Sequence, residues 1–367
     1  MKKIFIFILT LIIALTLTAC VNQKGSDTKV PIEPESGSNG VTHSPMDIEL
    51  LAGPSGTISY IATAIGEVIT NKSNWIRMSA IGTAATEANI TQMLEKNDRT
   101  YTVFMASAAT FRGAKNGAAA FEGEDPVKDM RLIGGFSFGT NGFCTINSNI
   151  KSLKDLNGKT VAMVSDSLPL TVCKQMFKNM GIDVKIEIMG FSDQFDALGD
   201  GLVDACMYFG TMSTNIDKPL IPVSALQEVV ATRKNQVWAI DIPPELITQA
   251  VVDVGFEEFW PYVPVVAVPG SLSSAQTKPF GVYGAVTGSL VCWADMDDDV
   301  VYEITKTLCE NIEHLGDYYN DLKHLDADTM VSMLSAIADN ESDIHPGAIK
   351  YFQETGLWDN FEDGSFN

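Results

Sequence analysis

Two hydrophobic rhythms alternate along the chain from residue 47 onward. Apolar runs at 47–52, 76–80 and 102–106 read as short buried strands. After the first of them, Ile58, Ile61, Ala62, Ile65, Val68 and Ile69 recur at helical spacing and fall on one face. A second helix is predicted over 88–95, with Ile90, Met93 and Leu94 turned inward. Strands follow at 130–138 and 142–147. A new series begins with a strand at 159–164 and a helix marked by Leu170, Cys173, Phe177 and Met180, which stops at Gly181. It continues as strand 184–189, helix 193–202, strand 203–209, helix 224–234, strand 236–240 and a helix over 244–254 with Pro244 in its first turn. Strands at 263–268 and 282–294 lead into helices over 299–315, 327–338 and 347–355.

Strands alternating with helices imply α/β architecture, with mainly parallel sheets covered on both faces. Two such series predict two lobes, lobe I from 46–143 and 263–367 and lobe II from 144–262. The chain then crosses between lobes twice. Two crossings make a hinge, and a hinge lets two α/β lobes close on a ligand.

The start of the chain has a different pattern. Lys2 and Lys3 precede an apolar run over 4–17, shorter than the ~20 residues a membrane-spanning helix needs. It matches the apolar core of a secretory signal. The run ends in Leu17-Thr18-Ala19-Cys20, which looks like a bacterial lipobox, whose cysteine receives lipid after cleavage. Residues 1–20 are therefore expected to be a lipoprotein signal peptide. Residues 21–45, rich in Gly, Ser, Pro, Asn, Lys and Glu, are expected to form a flexible tether. The expected location is extracytoplasmic, anchored to the cell membrane through Cys20.

Composition narrows the partners. Hydrophobic residues make up 46% and aromatics 9% of the chain, as in ordinary globular proteins. A net charge of −21 opposes binding to nucleic acid or an anionic membrane face. Beyond Cys20, the body holds Cys144, Cys173, Cys206, Cys292 and Cys309, an odd set with no CxxC pair. Each falls in an apolar run, so buried thiols are expected, with one bridge at most. None of His43, His314, His324 and His345 is paired at metal-ligand spacing. No metal or cofactor is expected, and His345 before Pro346 reads as a turn cap. Ser148 and Lys151 match the SxxK pattern of extracytoplasmic serine hydrolases, but they precede a strand rather than open a helix, and no partner motif follows. The chain is not read as an enzyme.

Five stretches carry a family resemblance. They are Gly53-Pro54-Ser55-Gly56-Thr57-Ile58-Ser59-Tyr60, the segment 150–159, the segment 196–205, Val300-Val301-Tyr302-Glu303-Ile304-Thr305-Lys306, and His345-Pro346-Gly347-Ala348 with Tyr351 and Gly356. In this order they resemble the TAXI-type solute receptors of tripartite ATP-independent periplasmic (TRAP) transporters. The resemblance implies a type II periplasmic-binding-protein fold. It also implies capture of a small organic anion or zwitterion, a carboxylate or amino acid, for uptake through a membrane permease. The receptor of an ATP-driven importer, or a sensor input domain, would have the same fold. Two cleft segments depart from the family pattern. The second glycine-rich turn keeps only Gly82, and the third cleft segment reads Ser165-Asp166-Ser167-Leu168-Pro169-Leu170-Thr171.

In an open α/β sheet, ligands sit beyond the carboxyl ends of strands, where helix N-termini favour anions. That places Ser55, Gly56, Thr57, Ser59 and Tyr60 at the ligand, with Thr83 and Ser107 completing the wall of lobe I. Serine and threonine at such places also serve as ordinary helix caps. From lobe II, Asp166, Ser167 and Thr171 are expected at a helix start. The stretch Tyr208-Phe209-Gly210-Thr211 is expected at a strand end, its aromatic pair either stacking on ligand or filling core. None of Arg77, Arg99, Arg112, Arg131 and Arg233 lies in these turns, which disfavours a bidentate arginine clamp. Arg112 is near enough to Ser107 to reach inward, and Asp166 would favour a ligand amine.

Overall fold

The computed structural model describes residues 43–53, 57–96, 99–164, 168–212, 220–233, 236–257, 259–260 and 262–362. The expected signal peptide, the expected lipidation site Cys20 and all but the last three residues of the expected tether lie outside them. No helix among the described residues is long and apolar enough to cross a membrane.

The first rhythm folds as expected. Strands β1 (Met46–Leu51), β2 (Ile76–Ile81) and β3 (Thr102–Ala106) alternate with helices α1 (Thr57–Lys72) and α2 (Thr86–Leu94). Strand β1 pairs parallel with both β2 and β3. The apolar face of α1 buries Ile61, Ala62, Ile65, Val68 and Ile69. A helix absent from the hydrophobic pattern follows, α3 (Ala108–Asn116). Its buried face is mostly alanine and glycine, with Phe111 its one large side chain, too weak a stripe to read. Its ends are nevertheless well marked: Ser107 Oγ accepts from Thr110 N at 3.0 Å, and Gly117 closes the helix in the left-handed conformation.

Strand β4 (Met130–Thr145) replaces the two strands expected at 130–138 and 142–147. Gly139, Thr140 and Asn141 do not form a break; they continue the ladder, pairing with Thr211, Gly210 and Phe209. The second rhythm gives β5 (Thr160–Val164), α4 (Leu168–Met180), β6 (Lys185–Met189), α5 (Asp193–Asp200), β7 (Ala205–Thr211), β8 (Ile221–Pro222), α6 (Ser224–Thr232), β9 (Trp238–Ile240) and α7 (Pro244–Asp253). Here β5 pairs parallel with β6 and β7. Strands β10 (Val263–Ala267) and β11 (Phe280–Trp293) follow, then α8 (Asp298–Glu310), α9 (Leu315–Tyr318), α10 (Ala327–Ser335), α11 (Pro346–Thr355) and α12 (Asp359–Glu362). The expected helix over 299–315 ends at Asn311, which leaves the helical region at φ −132°.

The strands form one sheet in the order β2-β1-β3-β11-β4-β7-β5-β6. Parallel sections lie at its two ends, and the long antiparallel strands β4 and β11 join them. The architecture is α/β, as the rhythm predicts. A second hydrophobic cluster gathers Phe143, Val161, Met163, Cys173 and Phe177 with Ile240, Ile247 and Tyr283. Tyr283, near the start of β11, thus packs with the second parallel section, while Leu290 to Trp293 pack with the first. All five body cysteines are free, and the Sγ atoms of Cys144 and Cys206 lie 3.6 Å apart across β4 and β7.

His345 caps α11 as read: its Nδ1 accepts from Gly347 N at 3.2 Å, and its Nε2 lies 3.1 Å from Met296 O. Arg112 does not turn inward. Its Nε donates to Ile337 O at 2.8 Å and its Nη2 lies 3.3 Å from the Asp339 carboxylate, tying α3 to the end of α10.

Candidate functional site

A cavity of about 350 Å³ opens at the middle of the sheet, where β4 and β11 pass from one parallel section to the other. Its floor is Ser137, Gly139, Thr140 and Asn141 of β4 with Thr287 of β11. The starts of two helices face it, through Thr57 and Ile58 of α1 and Pro169 of α4. The end of β7 contributes Phe209, Gly210 and Thr211, and the next segment contributes Ile221 to Ser224 and Gln227. Phe191, Trp260 and Asp321 complete the wall. A hollow of about 30 Å³ adjoins it and shares Thr57, Ser137, Thr211, Ile221 and Asp321.

The floor has this shape because the ladder is irregular there. Thr287 falls at a register shift between Val286 and Gly288, and such a bulge re-aims a side chain out of the alternating pattern. Thr287 is exposed, with its Oγ1 3.0 Å from Ser137 Oγ. Two glycines allow the close approach. A Cβ on Gly139 would sit 2.6 Å from Thr287 Cγ2, and one on Gly210 would sit 2.8 Å from Ile221 O.

The polar chemistry of the floor is unusual. Thr140 Oγ1, Asn141 Oδ1 and Thr211 Oγ1 are buried and have no hydrogen-bond partner. Buried polar atoms are paired in the great majority of cases, so three unpaired ones on residues of a single cavity wall set this stretch apart. At the rim, the Tyr319 hydroxyl donates to Asp321 Oδ2 at 2.7 Å and lies 3.5 Å from Thr57 Oγ1. The Tyr319 ring packs against Tyr60, with centroids 5.4 Å apart. Burial pushes the Tyr319 hydroxyl up to about 12, against a lowering by the Thr57 hydroxyl, and the Asp321 carboxylate adds to the rise. It therefore stays a donor across the physiological range.

The sequence-derived residues divide sharply. Thr57, Phe209 and Gly210 line the cavity. Tyr60 is 57% exposed beside the rim, and Ser59 is half-buried on α1. Thr83 is engaged elsewhere, with its Oγ1 2.6 Å from Asn89 Oδ1 and 2.7 Å from Ala52 O. Ser107 caps α3, and Thr171 points to solvent from α4. Tyr208 is fully buried beneath β4, against the backbone of Gly142. Ser55, Gly56, Asp166 and Ser167 lie outside the described residues.

Thr140, Asn141, Phe191, Trp260 and Asp321 escaped the sequence reading. A signal existed for the first two: a Thr-Asn pair between Phe138 and Phe143, inside an otherwise buried run, is rare without a task. Asp321 had none, since it sits in a single turn of 3-10 helix, Asn320–His324.

The sequence profile of the NMT1-like family matches residues 50–356. The chain belongs to the NMT1-like family. No curated protein matches it in sequence. Among solved structures, it is similar to a TctC solute-binding protein from Polaromonas, at 9% identity over 87% of this chain and 99% of that one, with a TM-score of 0.48. It is also similar to MatC from Rhodopseudomonas palustris with bound malate, at 12% identity, 87% and 99% coverage and a TM-score of 0.42. A third is the periplasmic aliphatic sulphonate binding protein SsuA from Escherichia coli, at 12% identity, 87% and 93% coverage and a TM-score of 0.41.

Proposed function

We propose that this NMT1-like chain is an extracytoplasmic solute-binding lipoprotein, tethered through Cys20. In this reading it captures a small organic anion or zwitterion, a carboxylate or amino acid, as the TAXI-type receptor of a TRAP-type transporter. The observation that carries the reading is the cavity of about 350 Å³ with unpartnered polar atoms in its floor. Its size falls at the lower end of the ~300–1,000 Å³ usual for small-molecule sites. In this reading the two lobes are 46–143 with 263–367, and 144–262. The crossing at 143–144 then runs within β4, and the one at 262–263 falls at the start of β10, which pairs with β11; a change in the bend of β4 and β11 would open or shut the cavity. Thr57, Phe209 and Gly210 act at the site together with Thr140, Asn141 and Thr211, and binding without turnover is the activity.

The test is recovery of the native ligand. The full chain is purified without denaturant, unfolded, and the released small molecules are identified by mass spectrometry. One molecule at near-equimolar yield, which raises the melting temperature when added back, is the expected result. If nothing is recovered and no metabolite in a broad panel shifts the melting temperature, the reading fails. The mass of the mature N-terminus tests the anchor separately, since cleavage before Cys20 leaves a diacylglycerol-modified cysteine.

A further inference from the structure

We infer that the ligand carries an ammonium group, or a comparable N–H cation, seated against Asp321, and that dianions are excluded. The inference rests on the solute-binding reading above and narrows its ligand class.

Among the described lining residues, Asp321 is the only charged side chain. The arginines are committed elsewhere or lie away from the cavity. Arg99 pairs with Asp129, Arg112 with Asp339, Arg131 donates to the carbonyls of Lys128 and Met130, and Arg233 lines a separate groove with Asp196 and Asp200. A ligand that covers Asp321 strips water from a carboxylate. That costs free energy unless the ligand supplies positive charge or strong donors in return. A dicarboxylate supplies neither and adds repulsion.

The carboxylate is also held in position. Tyr319 fixes its Oδ2 at 2.7 Å, and the ring contact with Tyr60 restrains Tyr319. Oδ1 has no partner among the described residues and is left to a ligand. Asn141, 7% exposed, adds an unpartnered acceptor in its Oδ1. Two acceptors without donors match N–H groups. The unpartnered hydroxyls of Thr140 and Thr211 can each donate one hydrogen bond, enough between them for one carboxylate. Phe209 and Trp260 offer apolar faces to the body of the ligand and to its cation. The complement of this surface is a compact zwitterion or a small amine.

Matched pairs test it on the full chain in detergent, by thermal shift and calorimetry. The probes are leucine against 4-methylpentanoate, phenylalanine against 3-phenylpropanoate, and 4-aminobutyrate against butyrate, with succinate as the dianion. At least one amine-bearing member should bind at least about tenfold more tightly than its amine-free partner. Asp321→Asn should weaken that binding by about 10- to 100-fold while the unliganded melting temperature holds. Tyr319→Phe, which keeps the carboxylate, should weaken it less. Tighter or equal binding of an amine-free acid or succinate overturns the inference and leaves the solute-binding reading standing. Unchanged affinity in Asp321→Asn also overturns the inference alone. Failure of every probe in both charge classes counts against both.

Discussion

Asn89, on α2, and Asn141, in the middle of β4, are buried to similar extents, at 0% and 7% exposure, yet their polar atoms have opposite fates. Asn89 Nδ2 donates to Ala52 O at 2.6 Å and Met105 O at 3.1 Å, with Leu51 O at 3.3 Å, and its Oδ1 lies 2.6 Å from Thr83 Oγ1. It ties α2 to the carboxyl ends of β1 and β3, and Thr83 belongs to the same knot. Asn141 Oδ1, in contrast, has no partner. A saturated buried amide builds structure, because removing it strands several neighbours. An unsaturated one costs stability in the empty protein, and that cost is recovered only when something enters to pair with it. Position beyond a strand end, the basis for expecting Thr83 and Ser107 at the ligand, does not separate the two cases. Saturation does.

The largest effect follows from the saturated partner. Asn89→Ala removes donors from three carbonyls and leaves a hole at a junction of three elements, so stability should fall by about 3 kcal/mol. Asn141→Ala should change it by less than about 1 kcal/mol, because no existing hydrogen bond to Oδ1 is lost. Urea unfolding of both variants without ligand checks the contrast. Equal losses would erase it.

The glycines of the floor give the next effect. Gly210→Ala drives a Cβ against the Ile221 carbonyl, which is backbone and cannot rotate away, and should cost about 1–3 kcal/mol. Gly139→Ala meets only the Thr287 side chain, most closely its Cγ2 at 2.6 Å and then its Oγ1 at 3.2 Å, so Thr287→Ser, which removes the closer atom, should restore much of the loss in the double variant. A double-mutant cycle measures this rescue. Its absence would mean that the bulge at Thr287 does not set the shape of the floor.

His345 extends the saturated class and predicts a pH dependence. Burial holds its imidazole below the usual 6.5, against smaller raising influences from Asp298 and the Met296 carbonyl. Gly347 N donates to Nδ1, so the proton sits on Nε2 and the cap works only in the neutral ring. Because the folded value is depressed, the unfolded chain binds the proton first as pH falls. The stabilisation is therefore complete above pH 6.5 and is lost below it, by up to about 1.4 kcal/mol per pH unit until the folded ring titrates. His345→Asn keeps a capping side chain and should flatten stability between pH 6.5 and 5 relative to wild type. An identical slope in both proteins would refute the assignment.

Much of the fold was legible because burial follows period. The stripe of α1, the parallel pairs of β1 and β5, the Pro244 start of α7 and the Gly181 stop of α4 all follow from residue spacing and turn chemistry. The helix α3 was not legible, since alanine and glycine at its buried positions give almost no amplitude. The site was legible in part for a related reason. Thr57, Phe209 and Gly210 sit at ends of elements, where the rule for α/β sheets looks. Thr140 and Asn141 sit mid-strand, and glycine and polar residues in a row read as a loop unless the strand is known to continue. Asp321 is brought to the cavity by packing of the C-terminal segment, a long-range contact that no local pattern encodes.

The smallest predicted change in stability is the most discriminating. Thr140 is 1% exposed with an unpartnered hydroxyl, and valine has nearly its shape. If that hydroxyl has no structural role, Thr140→Val should leave the empty protein unchanged or stabilise it by up to about 1 kcal/mol, since a desolvated polar atom becomes a methyl. Ligand should then raise the melting temperature of the variant less than that of the wild type, because the bond that offsets the desolvation is gone. The two readouts move in opposite directions only for a group held in reserve for binding. For a residue of the Asn89 kind, stability falls outright, and a loss of empty-protein stability in Thr140→Val would place it in that class and remove it from the site.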